Sequence, residues 1–234
     1  MNKVKRIQST VLIVLLLLLS GCGGQEQSTA KKMELPSAGL AKLVINHKNG
    51  SVKITGRSDS DKIEVDASVK ASGISMDNLE LKLEAQQDTA SLDARFKGQF
   101  LSMGEGSVDL EIKVPKQLNL EITSHRDGKI QISDVSSNGT IDNINGDIEV
   151  SKLSGTLKIK NQDGGINVQD IGSDVKIDNN NGHIVVNRIG GSAEIHVGDG
   201  SLDIDHVEKD ATITQTGSGE VKMGEIKGKI FQNL

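Results

Sequence analysis

From Gly128 onward the apolar residues return every 18 positions. Counted from Gly146 they stand at offsets of 2, 4, 7, 11 and 13, as Ile148, Val150, Leu153, Leu157 and Ile159. The next repeats keep the set: Ile166, Val168, Ile171, Val175 and Ile177; Ile184, Val186, Ile189, Ala193 and Ile195; Leu202, Ile204, Val207, Ala211 and Ile213. The repeat before them departs once, with Gly139 between Val135 and Ile141, and the last is cut short after Val221, Met223, Ile226 and Ile230. Pairs two apart have the period of a strand, with the intervening side chains turned to solvent. Each repeat therefore holds two short strands, and no helical period competes. Gly128, Gly146, Gly164, Gly182 and Gly200 each follow an Asp or Asn, and Gly219 follows Ser218 after a spacing of 19. Asp-Gly and Asn-Gly tolerate positive φ, so a tight turn recurs at one place in every coil.

Five aliphatic side chains cannot offset the ordering of 18 residues, so the coils must stack. Stacking about 4.8 Å apart places residues of equal offset above one another. One such row reads Asp134, Lys152, Asp170, Arg188, His206, and another reads Asp142, Lys160, Asp178, His196, Thr214. Alternating signs are what a stack favours, because like charges on adjacent strands repel. A third row, Asn143, Asn161 and Asn179, predicts an asparagine ladder with amides bonded along the axis. The fold class expected is all-β: a single-stranded parallel β-helix, or β-solenoid, over residues 126–234.

Residues 39–125 read as wider, irregular β coils. Asn49-Gly50 precedes Val52 and Ile54, then Ile63 and Val65; Leu79, Leu81, Leu83 and Leu92, Ala94, Phe96 alternate as strands. Gly106, 22 residues before Gly128, leads Val108, Leu110, Ile112 and Val114 and predicts a broader coil. This half is expected to be partly antiparallel and to cap the solenoid.

The amino terminus carries a different pattern. Lys3, Lys5 and Arg6 precede an unbroken apolar run from Val11 to Leu19, which has the form of an export signal. The run is well short of the roughly 20 residues a membrane-spanning helix needs. Leu19-Ser20-Gly21-Cys22 resembles the lipobox of bacterial lipoproteins, and that resemblance implies cleavage before Cys22 and lipid on it. Residues 1–21 are thus expected to be a signal peptide, and 22–38 a lipidated cysteine followed by a flexible polar tether. Cys22 is the only cysteine, which leaves no internal disulfide.

Composition narrows the partners. Without the leader, 24 Lys and Arg stand against 32 Asp and Glu, an acidic balance that argues against nucleic acid and against a basic grip on anionic headgroups. Three Phe, no Trp and no Tyr cannot build stacking platforms for sugars or bases. His183, His196 and His206 lack the short spacing of a ligand motif and read as surface histidines, so no metal is expected. The Asp-Gly turns are explained by turn chemistry rather than calcium, since only the fragment Asp163-Gly164-Gly165 approaches a calcium-roll repeat. No catalytic motif or cofactor fingerprint is present.

The run Val114-Pro115-Lys116-Gln117-Leu118-Asn119-Leu120-Glu121-Ile122, followed by Gly-x-Ile-x-Val coils, resembles the bacterial "putative adhesin" domain family, a domain of unknown function, over about residues 40–230. The resemblance implies a β-solenoid head and brings no catalytic residues. The expected function is a non-catalytic, adhesin-like surface module. It would be lipid-anchored on the cell membrane or outer membrane and would engage a protein, a peptide or a cell-wall polymer. The alternatives are an envelope scaffold or stress-response accessory that self-associates through its last coil and, more remotely, a polysaccharide-active β-helix enzyme.

Overall fold

The computed structural model describes residues 26–97 and 104–233. Seven strands form the amino-terminal half: β1 (Glu26–Pro36), β2 (Lys42–His47), β3 (Val52–Arg57), β4 (Lys62–Ser72), β5 (Leu79–Gln86), β6 (Thr89–Phe96) and β7 (Glu105–Pro115). The coils follow as strand pairs: β8 (Asn119–Asp127) with β9 (Ile130–Val135), β10 (Gly139–Asn145) with β11 (Ile148–Leu153), and β12 (Leu157–Asp163) with β13 (Ile166–Ile171). Next come β14 (Val175–Asn181) with β15 (Ile184–Ile189), β16 (Ala193–Asp199) with β17 (Leu202–Val207), β18 (Ala211–Gln215) with β19 (Val221–Met223), and finally β20 (Ile230–Asn233). They make two ten-stranded sheets, one holding the odd strands from β9 to β19 and the other the even strands from β8 to β20.

The stack is parallel and in register, as the 18-residue period predicts. Ile130, Ile148, Ile166, Ile184 and Leu202 lie side by side on successive strands, and so do Ile141, Ile159, Ile177, Ile195 and Ile213. All are buried in one continuous core that runs from Met33 to Ile213. The step of three between buried positions such as Val150 and Leu153 leaves two consecutive residues outside, which a flat strand cannot do. The second of them takes the left-handed conformation in every coil: Asp134, Lys152, Asp170, Arg188 and His206 have φ between 52° and 60°. That kink returns the chain to the correct phase and starts the corner.

The glycine of each turn has a steric reason. Gly164 and Gly182 have φ of 128° and 122°, and a Cβ added to Gly182 would stand 2.3 Å from the carbonyl oxygen of Gly164. Successive turns pack backbone on backbone, and only glycine leaves the room.

The amino-terminal half caps the stack, partly antiparallel as expected. β1 pairs antiparallel with β4 and β4 with β7, while β5 and β6 form an antiparallel pair in the other sheet. Two expectations are corrected. Glu26–Pro36, expected within a flexible tether, is strand along its whole length. Its Met33 and Leu35 enter the core, and Lys32–Asp66 and Glu34–Lys62 ion pairs hold its outer face. An edge strand needs few apolar residues, because its main chain bonds to a formed neighbour. The coil next to Gly128 is not led by Gly106 either. The place before Gly128 in the turn column belongs to Gly50, because β2 inserts between β6 and β8, and β3 between β7 and β9. Lys42–Arg57 is therefore a regular coil stacked out of sequence order.

Candidate functional site

A column of buried polar side chains runs up one inner corner of the solenoid. Asn143 donates to Asn161 at 2.7 Å, and Asn161 donates to Asn179 at 2.9 Å. Asn179 ends the chain of amides by donating to the carbonyls of Asn181 at 3.0 Å and Gly164 at 3.3 Å. The row skips at Val197 and resumes with Gln215, which donates to Gly200 O at 2.9 Å. These amides satisfy turn carbonyls that face inward, where an unpaired oxygen would be costly. The predicted asparagine ladder is present, and it is buried.

Toward the cap the same column continues as two histidines. His125, one coil before Asn143, bonds its Oδ1 through Nδ1 and faces Gly50 O through Nε2 at 3.1 Å. His47, at the end of β2, stacks on it with ring centroids 5.0 Å apart and planes inclined by 20°. Its Nε2 lies 2.7 Å from Val108 O and its Nδ1 has no partner. Burial pushes the His47 imidazole down to about 4, against the Val108 bond, which favours the charged ring.

The outer rows are ionic. Lys152 meets Asp134 at 3.7 Å, and Arg188 meets Asp170 with Nη2 to Oδ2 at 2.9 Å. The Arg188 hydrogen bond holds the Asp170 carboxyl below the usual carboxylate range. In the second row Asp142, Lys160, Asp178 and His196 lie in the expected register, but no ion pair closes between them. The turn acids bond main chain one coil ahead: Asp147 accepts from Gly165 N–H at 2.9 Å, Asp174 from Ser192 at 2.8 Å and Asp210 from Lys229 at 2.8 Å. These carboxylates act as turn clasps, and none of the three is the aspartate of an Asp-Gly pair.

A cleft of about 830 Å³ lies at the junction of cap and solenoid. The start of β1, the end of β4 and the start of β7 form one wall, and the stacked turns around Gly50 and Gly128 form the other. Lys70, Glu105, Arg126 and Asp127 line it, so both signs of charge meet main-chain polar groups.

Of the residues singled out from sequence, Cys22 lies outside the described residues. His183, His196 and His206 do not converge. His183 faces Ser201 Oγ at 2.6 Å and Asp203 at 3.6 Å, while His206 turns to Asp205 at 2.7 Å. Among the described residues no cluster of three or more His, Cys, Asp or Glu has the geometry to hold a metal ion. No helix among them is long and apolar enough to cross a membrane. Sequence reasoning passed over His47 and His125. The signals were there: His125 stands 18 residues before Asn143, and His47 continues the alternation of Leu43 and Ile45.

No curated protein matches the chain. Among solved structures, a "putative cell adhesion protein" from Clostridium sporogenes aligns at 14% identity over 88% of this chain and 99% of its own, with a TM-score of 0.36. A "putative adhesin" from Bacteroides fragilis aligns at 14% over 88% and 97%, with a TM-score of 0.44. A "Putative lipid binding protein" from Parabacteroides distasonis aligns at 15% over 87% and 94%, with a TM-score of 0.42. At these identities and scores the likeness carries no argument about a ligand. The family described as Toastrack DUF4097 matches residues 40–231, which span the cap from just before β2, the inserted coil and the stack as far as the start of β20, and the chain belongs to that family.

Proposed function

We propose that the protein is a non-catalytic, adhesin-like binding module of the bacterial envelope, held on the outer face of a membrane by lipid on Cys22. In this reading residues 1–21 are a leader removed on export, and the β-body from Glu26 onward is displayed close to the bilayer. The observation that carries the binding role is the cleft of about 830 Å³ between cap and solenoid, with its rigid main-chain wall and its mixed charges Lys70, Glu105, Arg126 and Asp127. Such a surface offers preformed hydrogen bonds to a polar partner such as a peptide, a protein loop or a cell-wall polymer. Turn acids already committed to neighbouring N–H groups favour recognition over bond-making chemistry.

Co-sedimentation with purified cell-wall sacculi tests the site, using the chain from residue 24 and its Lys70→Glu/Arg126→Glu variant. Retention of the parent and loss of the variant are expected, and equal behaviour of the two would remove the cleft from the proposal. Fractionation tests the anchor: Cys22→Ala should leave the membrane fraction.

A second reading, a scaffold that self-associates, draws on the last coil. There Met223, Ile230 and Phe231 are 39%, 46% and 53% exposed on strands that have no neighbour beyond them among the described residues. Light scattering on the chain from residue 24 separates the readings, because concentration-dependent oligomers belong to the scaffold and a monomer to the binding module.

A further inference from the structure

We propose that the stacked His47 and His125 rings form an acid-sensitive joint between the cap and the solenoid, closed while His47 is neutral and opened by its protonation. The joint stands apart from whatever the cleft binds, because it is built only from the chain's own core.

The hydrogen bonds give each ring nitrogen a defined role. Val108 O is an acceptor 2.7 Å from His47 Nε2, so that nitrogen carries the hydrogen and Nδ1 presents a lone pair with no partner. A proton added at Nδ1 would place a charge and an unmatched N–H where the side chain has no exposure at all. The amide ladder sets the other ring from its far end. Asn179 must donate to two carbonyls, so its Oδ1 accepts from Asn161, whose Oδ1 accepts from Asn143. Asn143 Oδ1 is then free to accept only from His125, which makes His125 Nδ1 a donor. His125 thus has an acceptor facing each ring nitrogen, Asn143 Oδ1 at Nδ1 and Gly50 O at Nε2, whereas His47 has one at Nε2 alone. The rings lie 5.0 Å apart, close enough for a charge on His125 to make charging His47 harder.

The remaining charged neighbour is Asp109 on β7, which attracts a proton toward His47. Its Oδ1 already accepts from Ser51 N–H and Oγ at 2.8 and 2.7 Å. From β10 the stack meets only the neutral amide of Asn143. Nothing facing His47 can neutralise its cation without a rearrangement. The way to hydrate that cation is to part β2 from β8. Parting them also releases the Gly50 turn, which bonds His125 and lines the cleft.

Hydrogen exchange on the full chain at pH 7.5 and pH 5.0, corrected for the intrinsic rate, tests the joint. A ring that titrates near 4 when closed and near 6.5 when open gains about thirtyfold in opening at pH 5. Peptides covering 42–57 and 119–127 should lose protection by about that factor, while those covering 157–213 should not change. His47→Gln keeps a donor for Val108 O and removes the titration, and His125→Asn extends the ladder with the residue the next coils use. His47→Gln should flatten the pH response, whereas His125→Asn, which leaves the His47 ring and its unpartnered Nδ1 in place, should keep it. Unchanged protection in the parent overturns the proposal, as does loosening that spreads evenly along the solenoid. Loosening that persists in His47→Gln, or that vanishes in His125→Asn, overturns it equally, since the response would then belong to other groups.

Discussion

The stack from Gly128 to Gln215 and the cap from Glu26 to Pro115 use the same strands and the same aliphatic core, but they are specified at different ranges. In the stack a residue's partner is about 18 positions away, as in Asn143 with Asn161 or Arg188 with Asp170. In the cap Thr123 bonds Asn46 across 77 positions, His47 reaches Val108 across 61, and Lys42 pairs with Glu121 across 79. Local repetition lets each coil template the next, so one sequence pattern suffices. The cap has to bring the coil Lys42–Arg57 between strands made much later in the chain. That costs more loop-closure entropy and slows folding. The stack should thus be tolerant of where it starts and intolerant of what breaks its backbone packing.

The largest effect tests that intolerance. Gly182→Val places a branched side chain at φ of 122° and 2.3 Å from Gly164 O, with backbone on both sides and nowhere to move. A loss of at least about 3 kcal/mol is expected, combining a positive-φ cost with overpacking. The matched control in the cap is Gly39→Ala. It shares positive φ, 82°, but nothing lies within 4 Å of its added Cβ, and about 1 kcal/mol is expected. Urea denaturation of both variants measures the difference. Equal losses would mean that conformation alone, not the stacking of turns, makes the glycine column necessary.

The contrast in range also explains what the sequence made legible. The fold class, the register and the asparagine row follow from one period, because Ile148, Ile166 and Ile184 have to share a row once the coils stack. The insertion of β2 and β3 has no such signature, since Asn49-Gly50 with Val52 and Ile54 looks like any other coil wherever it stacks. Strand β1 was hidden for another reason. Only Met33 and Leu35 of its eleven residues turn fully inward, and the rest of its hold is main chain to β4 and ion pairs such as Lys32–Asp66 and Glu34–Lys62, which apolar patterns do not report. The histidine pair was visible only in halves: His125 lies in phase with the ladder, but its partner comes from the out-of-order coil. The charged rows were legible as neighbours and not as bonds, because shared register brings Asp142 and Lys160 together without closing an ion pair.

An intermediate effect comes from the ladder. Asn161→Ala strands the amide of Asn143 and the Oδ1 of Asn179 in the core, each of which has its main partner in that residue. About 2 to 3 kcal/mol should be lost in denaturant unfolding, since a buried unpaired group costs the desolvation it no longer recovers. The double variant Asn161→Val/Asn179→Val should recover part of the loss, because Val197 already occupies this row one coil later. If the double variant were worse than the single, the Gly164 and Asn181 carbonyls that Asn179 satisfies would outweigh the Oδ1 it leaves stranded.

The smallest effect separates surface rows from the cap's enclosed ion pairs. Arg188 is half-exposed and bonds Asp170 along the outside of the stack, so Arg188→Ala should shift the unfolding midpoint least of all, and salt at about 1 M should erase the shift. In the cap, Glu80 is only 14% exposed and is held by both Arg95 and Lys97 at 3.1 Å. Removing Arg95 there leaves a mostly covered carboxylate with one cation, so Arg95→Ala should cost more and should resist salt. The sign with pH follows from the same pairing. The Asp170 and Glu80 carboxyls are both held below their usual range, so their contributions are complete above that range and fade as acid protonates them. Thermal melts of the two alanine variants at pH 7 in low and high salt decide the salt comparison, and a salt-resistant loss in Arg188→Ala would place real stabilisation in the outer ionic row.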